Sequence, residues 1–331
     1  MSKILTISIA AYNVASYIQT TLDSLVSSKY IDDLEIFVVD DGGQDDTLTI
    51  AKEYQKRYPS SVFPVHKENG GYGTTVNYSM EHATGKYFKL LDGDDWFDTD
   101  ALNGLVQGLK SSDADVIITP FYSSYENGKL EKISYIDDFG PHVQLIKNLQ
   151  IDRAIGMWAI TYKTEILKES NLKLPSKTFF TDIYYSLYPF AKAKTIQCID
   201  FPVYCYRLGH DGQSVSIESR LKNIEQLLTI NRNTAKFISH NSDNDNYSYL
   251  LMRATYTYKY ILKNLLLLSY EKVNKDKFAL YDQEIKEICL PVYQNIERLG
   301  KLGKFIWLCR KTKYQAYYLL KILYPKGIPN F

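Results

Sequence analysis

The sequence contains no run of eighteen apolar residues, so it offers no ordinary membrane-spanning helix. The nearest stretch, "YILKNLLLLSY" (260–270), is broken by Lys263 and Asn264. The N-terminus "MSKILTISIAAYN" has one lysine and too short an apolar run for a signal peptide, and it alternates as a strand does. Cysteine is scarce: Cys198, Cys205, Cys289 and Cys309 form no C-x-x-C pair and no framework spacing. They read as reduced thiols of a cytosolic protein. An excess of one charge is also missing. With 39 basic and 38 acidic residues the net charge is +1, which gives no global argument for nucleic acid and leaves any electrostatic targeting local. Internal repeats and low-complexity tracts are absent.

What remains is an ordinary globular composition, 45% apolar and 23% charged over 331 residues, enough for two domains or one with an appendage. The 29 tyrosines are many. Their apolar bodies and polar tips suit sugar or interface surfaces, and they also fill cores.

Strands and helices alternate over the first 120 residues. Strand-like runs are "ILTISIA" (4–10), "LEIFVVD" (34–40), "SVFPVH" (61–66), "YFKLLD" (87–92) and "DVIITPF" (115–121). Helical patterns fill 15–28, 45–57, 72–83 and 99–111. Continuous β-branched strands between helices predict an α/β fold, a mostly parallel sheet covered on both faces. Residues 122–215 are less regular, and from about 217 the pattern turns helical. In such sheets ligands bind beyond the carboxyl ends of the strands, where both acidic clusters of the chain fall.

The first cluster, "LLDGDDW", places Asp92, Asp94 and Asp95 directly after a buried strand. Crowded carboxylates repel, so three explanations compete: a solvated turn, a calcium loop, or a metal site that holds phosphate. An EF-hand would need a ligand at Trp96, Gly at Phe97 and Glu at Asn103, and has none of them. A hard divalent cation takes carboxylate oxygens and leaves positions for a phosphorylated substrate. The second cluster, "VVDDGGQDD" (38–46), ends another strand with glycines that permit a sharp turn beside a ligand. The stretch "KENGGYGTTVNYSMEHATGKYF" (67–88) is a glycine-rich loop entering a helix. It matches neither G-x-x-x-x-G-K-[ST] nor G-x-G-x-x-G, so loop chemistry and ligand approach both stay open.

Together "ISIAAYN", "FVVDDGGQDDT", "ENGGYGTTVNYSMEHATGKYFKLLDGDDW" and their spacing resemble the family 2 glycosyltransferases, inverting nucleotide-sugar enzymes of GT-A fold, here of the bacterial cell-surface glycan type. The resemblance covers residues 3–125 well and continues more thinly to about 217. It implies a catalytic domain over 1–216, with nucleotide-sugar binding in 1–125 and acceptor contacts in 126–216. A helical region follows over 217–331.

The resemblance further implies roles. Tyr12 and Asn13, after Ala11 where Pro or Thr is usual, would lie against the base, and Asp41 with Asp40 beside it would read a uracil ring. Asn69, Gly70 and Asn77 would serve the donor, although Val76 stands where the family commonly has Arg. Asp92 with Gly93 would sit nearest the ribose, Asp94 on Mn²⁺ or Mg²⁺, and Asp95 as support or second ligand. In "KTFFTDIYYSLYPF" (177–190), Asp182 takes the place of the catalytic base, and Thr181 replaces a Glu of the acceptor side. A plain helix cap is the alternative for Asp182. In "YCYRLGHDGQSVS" (204–216), Arg207 would bind diphosphate and His210 complete the metal shell, within a loop folding over the donor. Trp158 and Trp96 are candidates for stacking on sugar, or for core packing.

The reaction implied is transfer of a hexose or N-acetylhexosamine from a UDP-sugar to a hydroxyl of a glycan acceptor: a surface polysaccharide, a lipid-linked glycan or a glycoprotein glycan. Two alternatives stand: a sugar-nucleotide-binding subunit without turnover, and a nucleotidyl- or phosphotransferase. Residues 301–331 hold seven Lys/Arg (301, 304, 310, 311, 313, 321, 326) and no Asp or Glu, interleaved with aromatics. Such a tail suits an anionic membrane surface, or packs its apolar side on the catalytic domain. No motif for nucleic acid accompanies the charge.

Overall fold

The computed structural model describes residues 3–135, 140, 142–209, 216–268 and 271–320. They form two compact units, Met1–Gln150 with Ile155–Asp211, and Ile151–Ala154 with Gly212–Phe331.

In the first unit the elements run β1 (Leu5–Ala11), α1 (Ala15–Val26), β2 (Leu34–Asp40), α2 (Thr47–Arg57), β3 (Val62–His66), α3 (Tyr72–His82), β4 (Tyr87–Asp92), β5 (Trp96–Phe97) and α4 (Thr99–Ser111). Next come β6 (Val116–Ile118), β7 (Phe121–Tyr125), β8 (Leu130–Ile133), β9 (Gln144–Leu145), β10 (Ile160–Lys163), α5 (Thr164–Glu169), α6 (Asp182–Tyr185), β11 (Thr195–Cys198) and β12 (Tyr204–Leu208). The large sheet has the order β3-β2-β1-β4-β10-β6-β11-β9. Its first four strands are parallel, and β2 is buried along its whole length, which is why it reads as an unbroken apolar run.

Two features depart from the expected mostly parallel sheet. Strand β10 enters antiparallel between β4 and β6. The predicted strand 115–121 also breaks in two, β6 staying in the large sheet and β7 joining β12, β5 and β8 in a second one. Pro120, which has no N–H to give to a ladder, stands at the switch, where its carbonyl accepts from Val203 N–H at 3.2 Å. The stretch 204–208, expected as loop, is therefore strand β12.

The second unit is helical: α7 (Ile217–Lys222), α8 (Ile224–Ser239), α9 (Tyr247–Leu266), α10 (Lys272–Ile288), α11 (Leu290–Asn295) and α12 (Gly300–Lys311). Its core holds a buried ion pair. Arg310 donates from Nε and Nη2 to the two oxygens of Asp282 at 2.9 and 2.8 Å and from Nη1 to Glu297 at 2.9 Å. Tyr258 and Tyr314 hydroxyls also donate to Asp282. Removing one partner of such a pair strands a buried charge, so the network fixes how these helices meet. All four cysteines are buried and free. No helix among the described residues is long and apolar enough to cross a membrane.

Candidate active site

The register of the parallel strands assembles the site. Ala11 of β1 faces Asp40 of β2, and Ala10 faces Asp92 of β4, so three strands end together on one edge. The loops leaving them are tied to one another. Asn13 takes the left-handed conformation (φ 52°), and its Oδ1 accepts from Gln44 N–H at 2.8 Å. Asp45 accepts from Ala15 N–H at 2.9 Å. Tyr12 stands exposed beside them.

The acidic turn is pinned from several sides. Gly93 N–H donates to Ala10 O at 3.0 Å, and a Cβ on residue 93 would lie 2.9 Å from that oxygen, so glycine is required by close approach. The Thr21 hydroxyl of α1 lies 2.6 Å from the Asp95 carbonyl and 3.1 Å from that of Gly93. Asp95 is buried: Oδ2 accepts from the Tyr204 hydroxyl at 2.6 Å, and Oδ1 from Arg207 N–H at 2.7 Å. Arg207 donates from Nε to Asp94 O at 2.8 Å, its guanidinium lying over the rings of Tyr17 and Trp96 at 5.0 and 4.7 Å. Trp96 is thereby a support for Arg207.

Carboxylate oxygens of Asp92, Asp94 and Asp95 lie within 4.8 Å of one another. Asp92 Oδ1 is buried and has no hydrogen-bond partner among the described residues. Burial first, then the charges of Asp94 and Asp182, push the Asp92 carboxyl up to about 8. Burial, with Asp92 and Asp94, holds Asp95 well above the usual range as well. Repelling carboxylates with an unmatched buried oxygen fit a divalent cation, which would bind their charged forms.

Asp182 reaches this cluster from far along the chain. Its charge contributes, after burial, to the raised pKa of Asp92, Tyr72 and Tyr206 alike, so its carboxyl lies within electrostatic reach of all three. The segment before it is strained: Lys177 and Phe180, neither a glycine, have φ of 49° and 62°. Asp182 is the first residue of α6, and Thr181 before it makes no side-chain cap bond; its hydroxyl is buried without a partner among the described residues.

Asp41 has a different surrounding. Burial alone would raise its carboxyl, yet the N–H of Gly70 (2.9 Å), the Lys67 ammonium (2.7 Å) and the N–H of Gly71 (2.7 Å) together hold it below the usual range. It fastens the glycine-rich loop. Asp40 accepts from Gly43 N–H at 3.1 Å and meets His66 Nδ1 at 2.6 Å. Exposed Asn69 packs its main chain on Gly42.

With this geometry in place, known proteins are informative. Residues 6–178 match the family described as Glycosyl transferase family 2. The chain belongs to glycosyltransferase family 2. It is 26% identical over 246 residues to the putative glycosyltransferase EpsH of Bacillus subtilis, covering 72% of this chain and 70% of that one. It is 24% identical over 210 residues to the poly(ribitol-phosphate) beta-N-acetylglucosaminyltransferase TarS of Staphylococcus aureus, covering 63% of this chain but 36% of TarS. A crystal structure of S. aureus TarS 1–349 superposes with a TM-score of 0.73 at 19% identity, covering 99% of this chain and 93% of that one. Another, in complex with UDP-GlcNAc, gives 0.68 at 18% identity, covering 98% and 92%. The fold is GT-A with a C-terminal helical region, and the chain is a nucleotide-sugar-dependent glycosyltransferase.

Trp158 stacks on Tyr206 (4.5 Å between rings), with Phe121 at 5.4 Å, and its indole N–H is buried without a partner among the described residues. The Asn77 amide is engaged with the main chain of Leu174, and Val76 is buried in the core. His210 lies outside the described residues. Sequence reasoning passed over Tyr72, Tyr204 and Tyr206, whose hydroxyls titrate well above the usual range through burial and the surrounding aspartates. The alternation in "YCYRL" was the signal for the last two.

Proposed function

We propose that this glycosyltransferase moves a hexose or N-acetylhexosamine from a UDP-sugar to a hydroxyl of a glycan acceptor, with inversion at the anomeric carbon. The acceptor is a surface polysaccharide, a lipid-linked glycan or a glycoprotein glycan, met at the inner face of a membrane. The observation that carries the reading is that the carboxylates of Asp92, Asp94 and Asp95 converge within 4.8 Å on the edge where β1, β2 and β4 end together. TarS, a relative with UDP-GlcNAc bound in one structure, supports a UDP-sugar as donor.

In this reading Tyr12, Asn13, Asp40 and Asp41 form the base end of the donor site, with Asn69 and Gly70 on the adjoining loop, and Asn77 on the helix that follows supports it by holding the main chain of Leu174. Asp92 and Gly93 lie beside the ribose. A divalent cation, Mn²⁺ or Mg²⁺, held by Asp94 with Asp92 and Asp95, and with His210 as a further ligand, would neutralise charge on the leaving diphosphate. Arg207, already oriented by Tyr17 and Trp96, pairs with phosphate oxygens. Trp158 and Thr181 line the acceptor side. Asp182 takes the proton of the acceptor hydroxyl as its oxygen bonds to the anomeric carbon and the bond to the diphosphate oxygen breaks. Nucleophile and leaving group occupy opposite faces, so an α-linked donor gives a β-glycoside. General-base assistance contributes about 10²–10⁴-fold.

The test is release of nucleotide from a panel of UDP- and GDP-sugars with Mn²⁺ or Mg²⁺, beside Asp94→Ala and Asp182→Asn. Metal-dependent release from one UDP-sugar, lost in both variants, is the expected result. Donor binding with turnover only when another protein is added would replace this reading by that of a binding subunit, to which the departures at Val76 and Thr181 point. Nucleotide consumption without sugar transfer would instead make it a nucleotidyl- or phosphotransferase.

A further inference from the structure

We propose that the exposed face of α12 docks the protein on an anionic lipid surface through Lys301, Lys304, Lys311 and Lys313, with Trp307 among them. The inference deepens the membrane part of the reading above and rests on that part alone, not on the chemistry at Asp182.

The overall charge of +1 conceals a segregation. Residues 1–216 carry 20 Lys/Arg against 28 Asp/Glu, and residues 217–331 carry 19 against 10. The helical part of the chain is therefore strongly basic and the catalytic part acidic. Within the basic part, α12 concentrates the charge on one side. Lys301, Lys304, Trp307 and Lys311 are exposed and recur at helical spacing, and exposed Lys313 follows the helix end.

None of these four lysines has a carboxylate within ion-pair distance among the described residues. On α10, by contrast, Lys275 pairs with Asp276 at 3.0 Å and Lys277 with Glu225 at 2.6 Å. The α12 charges are thus left to solvent, or to a partner of opposite sign. Trp307 is 46% exposed, an amphipathic ring among cations that suits the headgroup layer more than a soluble polyanion.

The mode of contact follows from what the helix has already used. Its apolar side, Gly303, Ile306 and Cys309, is buried, as are Tyr314 and Tyr317 beyond it. Arg310, counted by sequence with the basic tail, is committed to Asp282 and Glu297. Insertion of an apolar face into the bilayer is therefore replaced by electrostatic seating of the lysine face, with Trp307 as the one ring entering the headgroups. Such binding weakens steeply with salt. Each basic residue near an anionic surface strengthens binding about five-fold.

The experiment is sedimentation of the full chain with vesicles of phosphatidylcholine, with and without about one-third phosphatidylglycerol. The variant K301E/K304E/K311E and the neutral K301Q/K304Q/K311Q run alongside, with thermal melting as a check of folding. The expected result is binding only to the anionic vesicles, abolished by high salt, and weakened about 100-fold in the neutral triple variant. Trp307→Ala should weaken vesicle binding while leaving binding to inorganic polyphosphate unchanged. Equal binding to both vesicles, undiminished binding in a folded triple variant, or capture of polyphosphate with no vesicle binding would overturn the proposal. Nucleotide binding is a separate readout, so the donor reading stands or falls without this one.

Discussion

The Asn77 amide holds the main chain of Leu174 from both sides: Nδ2 donates to Leu174 O at 2.8 Å, and Oδ1 accepts from Leu174 N–H at 2.9 Å. Leu174 opens the segment that leads to Asp182. The same segment is held again where Lys177 N–H donates to Gly70 O at 2.6 Å. Gly71 permits this approach: its φ is +84°, and a Cβ there would stand 3.0 Å from Lys177 N. The glycine-rich loop and the segment that leads to Asp182 are thus one hydrogen-bonded body.

Asn77→Ala should therefore act on the placement of Asp182 more than on the nucleotide. Loss of two hydrogen bonds costs about 1–3 kcal/mol. Amide hydrogen exchange over 172–182 should accelerate and turnover fall, while UDP affinity stays within about two-fold of the wild type, a difference near 0.4 kcal/mol. Loss of UDP affinity with unaltered exchange would return Asn77 to the donor role that the family resemblance implies.

Much of this was legible in the sequence, for local reasons. Strands β1 to β4 and helices α1 to α4 fall within two residues of the expected bounds, because buried parallel strands read as apolar runs and the helices follow their own period. The Asp92–Asp95 turn and Asp182 were visible as carboxylates at element ends. What escaped depends on distant pairing. Strand β10 is four residues of "ITYK" whose position is set by β4 and β6. The sheet change at Pro120 is invisible to periodicity. Asn77 gives no local sign that its partner is Leu174, and Arg310 reads as a surface cation until Asp282 is placed against it.

Tyr204 organises the acidic turn twice, donating to Asp95 Oδ2 at 2.6 Å and accepting from Asp92 N–H at 3.1 Å. Tyr204→Phe removes both contacts without changing the shape of the core. A buried acid deprived of a donor costs about 1–3 kcal/mol, and with Asp95 holding a metal as proposed, loss of its outer support costs about 10–100-fold in affinity. The expected outcome is a lower melting temperature together with a shift of metal-dependent nucleotide binding to higher Mn²⁺, read by titration calorimetry. A variant that melts lower yet needs no more Mn²⁺ would detach Tyr204 from the metal and leave it a core residue.

Lys89 is fully buried in β4, its ammonium donating to the carbonyls of Trp158 at 2.8 Å and Ile160 at 3.3 Å. Burial pushes its pKa down to about 7. An unfolded lysine keeps its proton to about pH 10.4. Between these values the unfolded chain holds the extra proton, so this group makes stability rise with pH from about 7 to 10, and below pH 7 its full cost is present. Lys89→Met lacks that dependence. The stability difference, variant minus wild type, should therefore be most favourable to the variant at acid pH and shrink by roughly 2–3 kcal/mol between pH 6.5 and 9. Comparing the two proteins cancels the opposing titrations of Asp92, Asp95 and the buried tyrosines, which both share. Urea midpoints at the two pH values measure it. A difference that does not move with pH would mean that Lys89 stays charged in the fold, its two carbonyl partners holding the ammonium against burial.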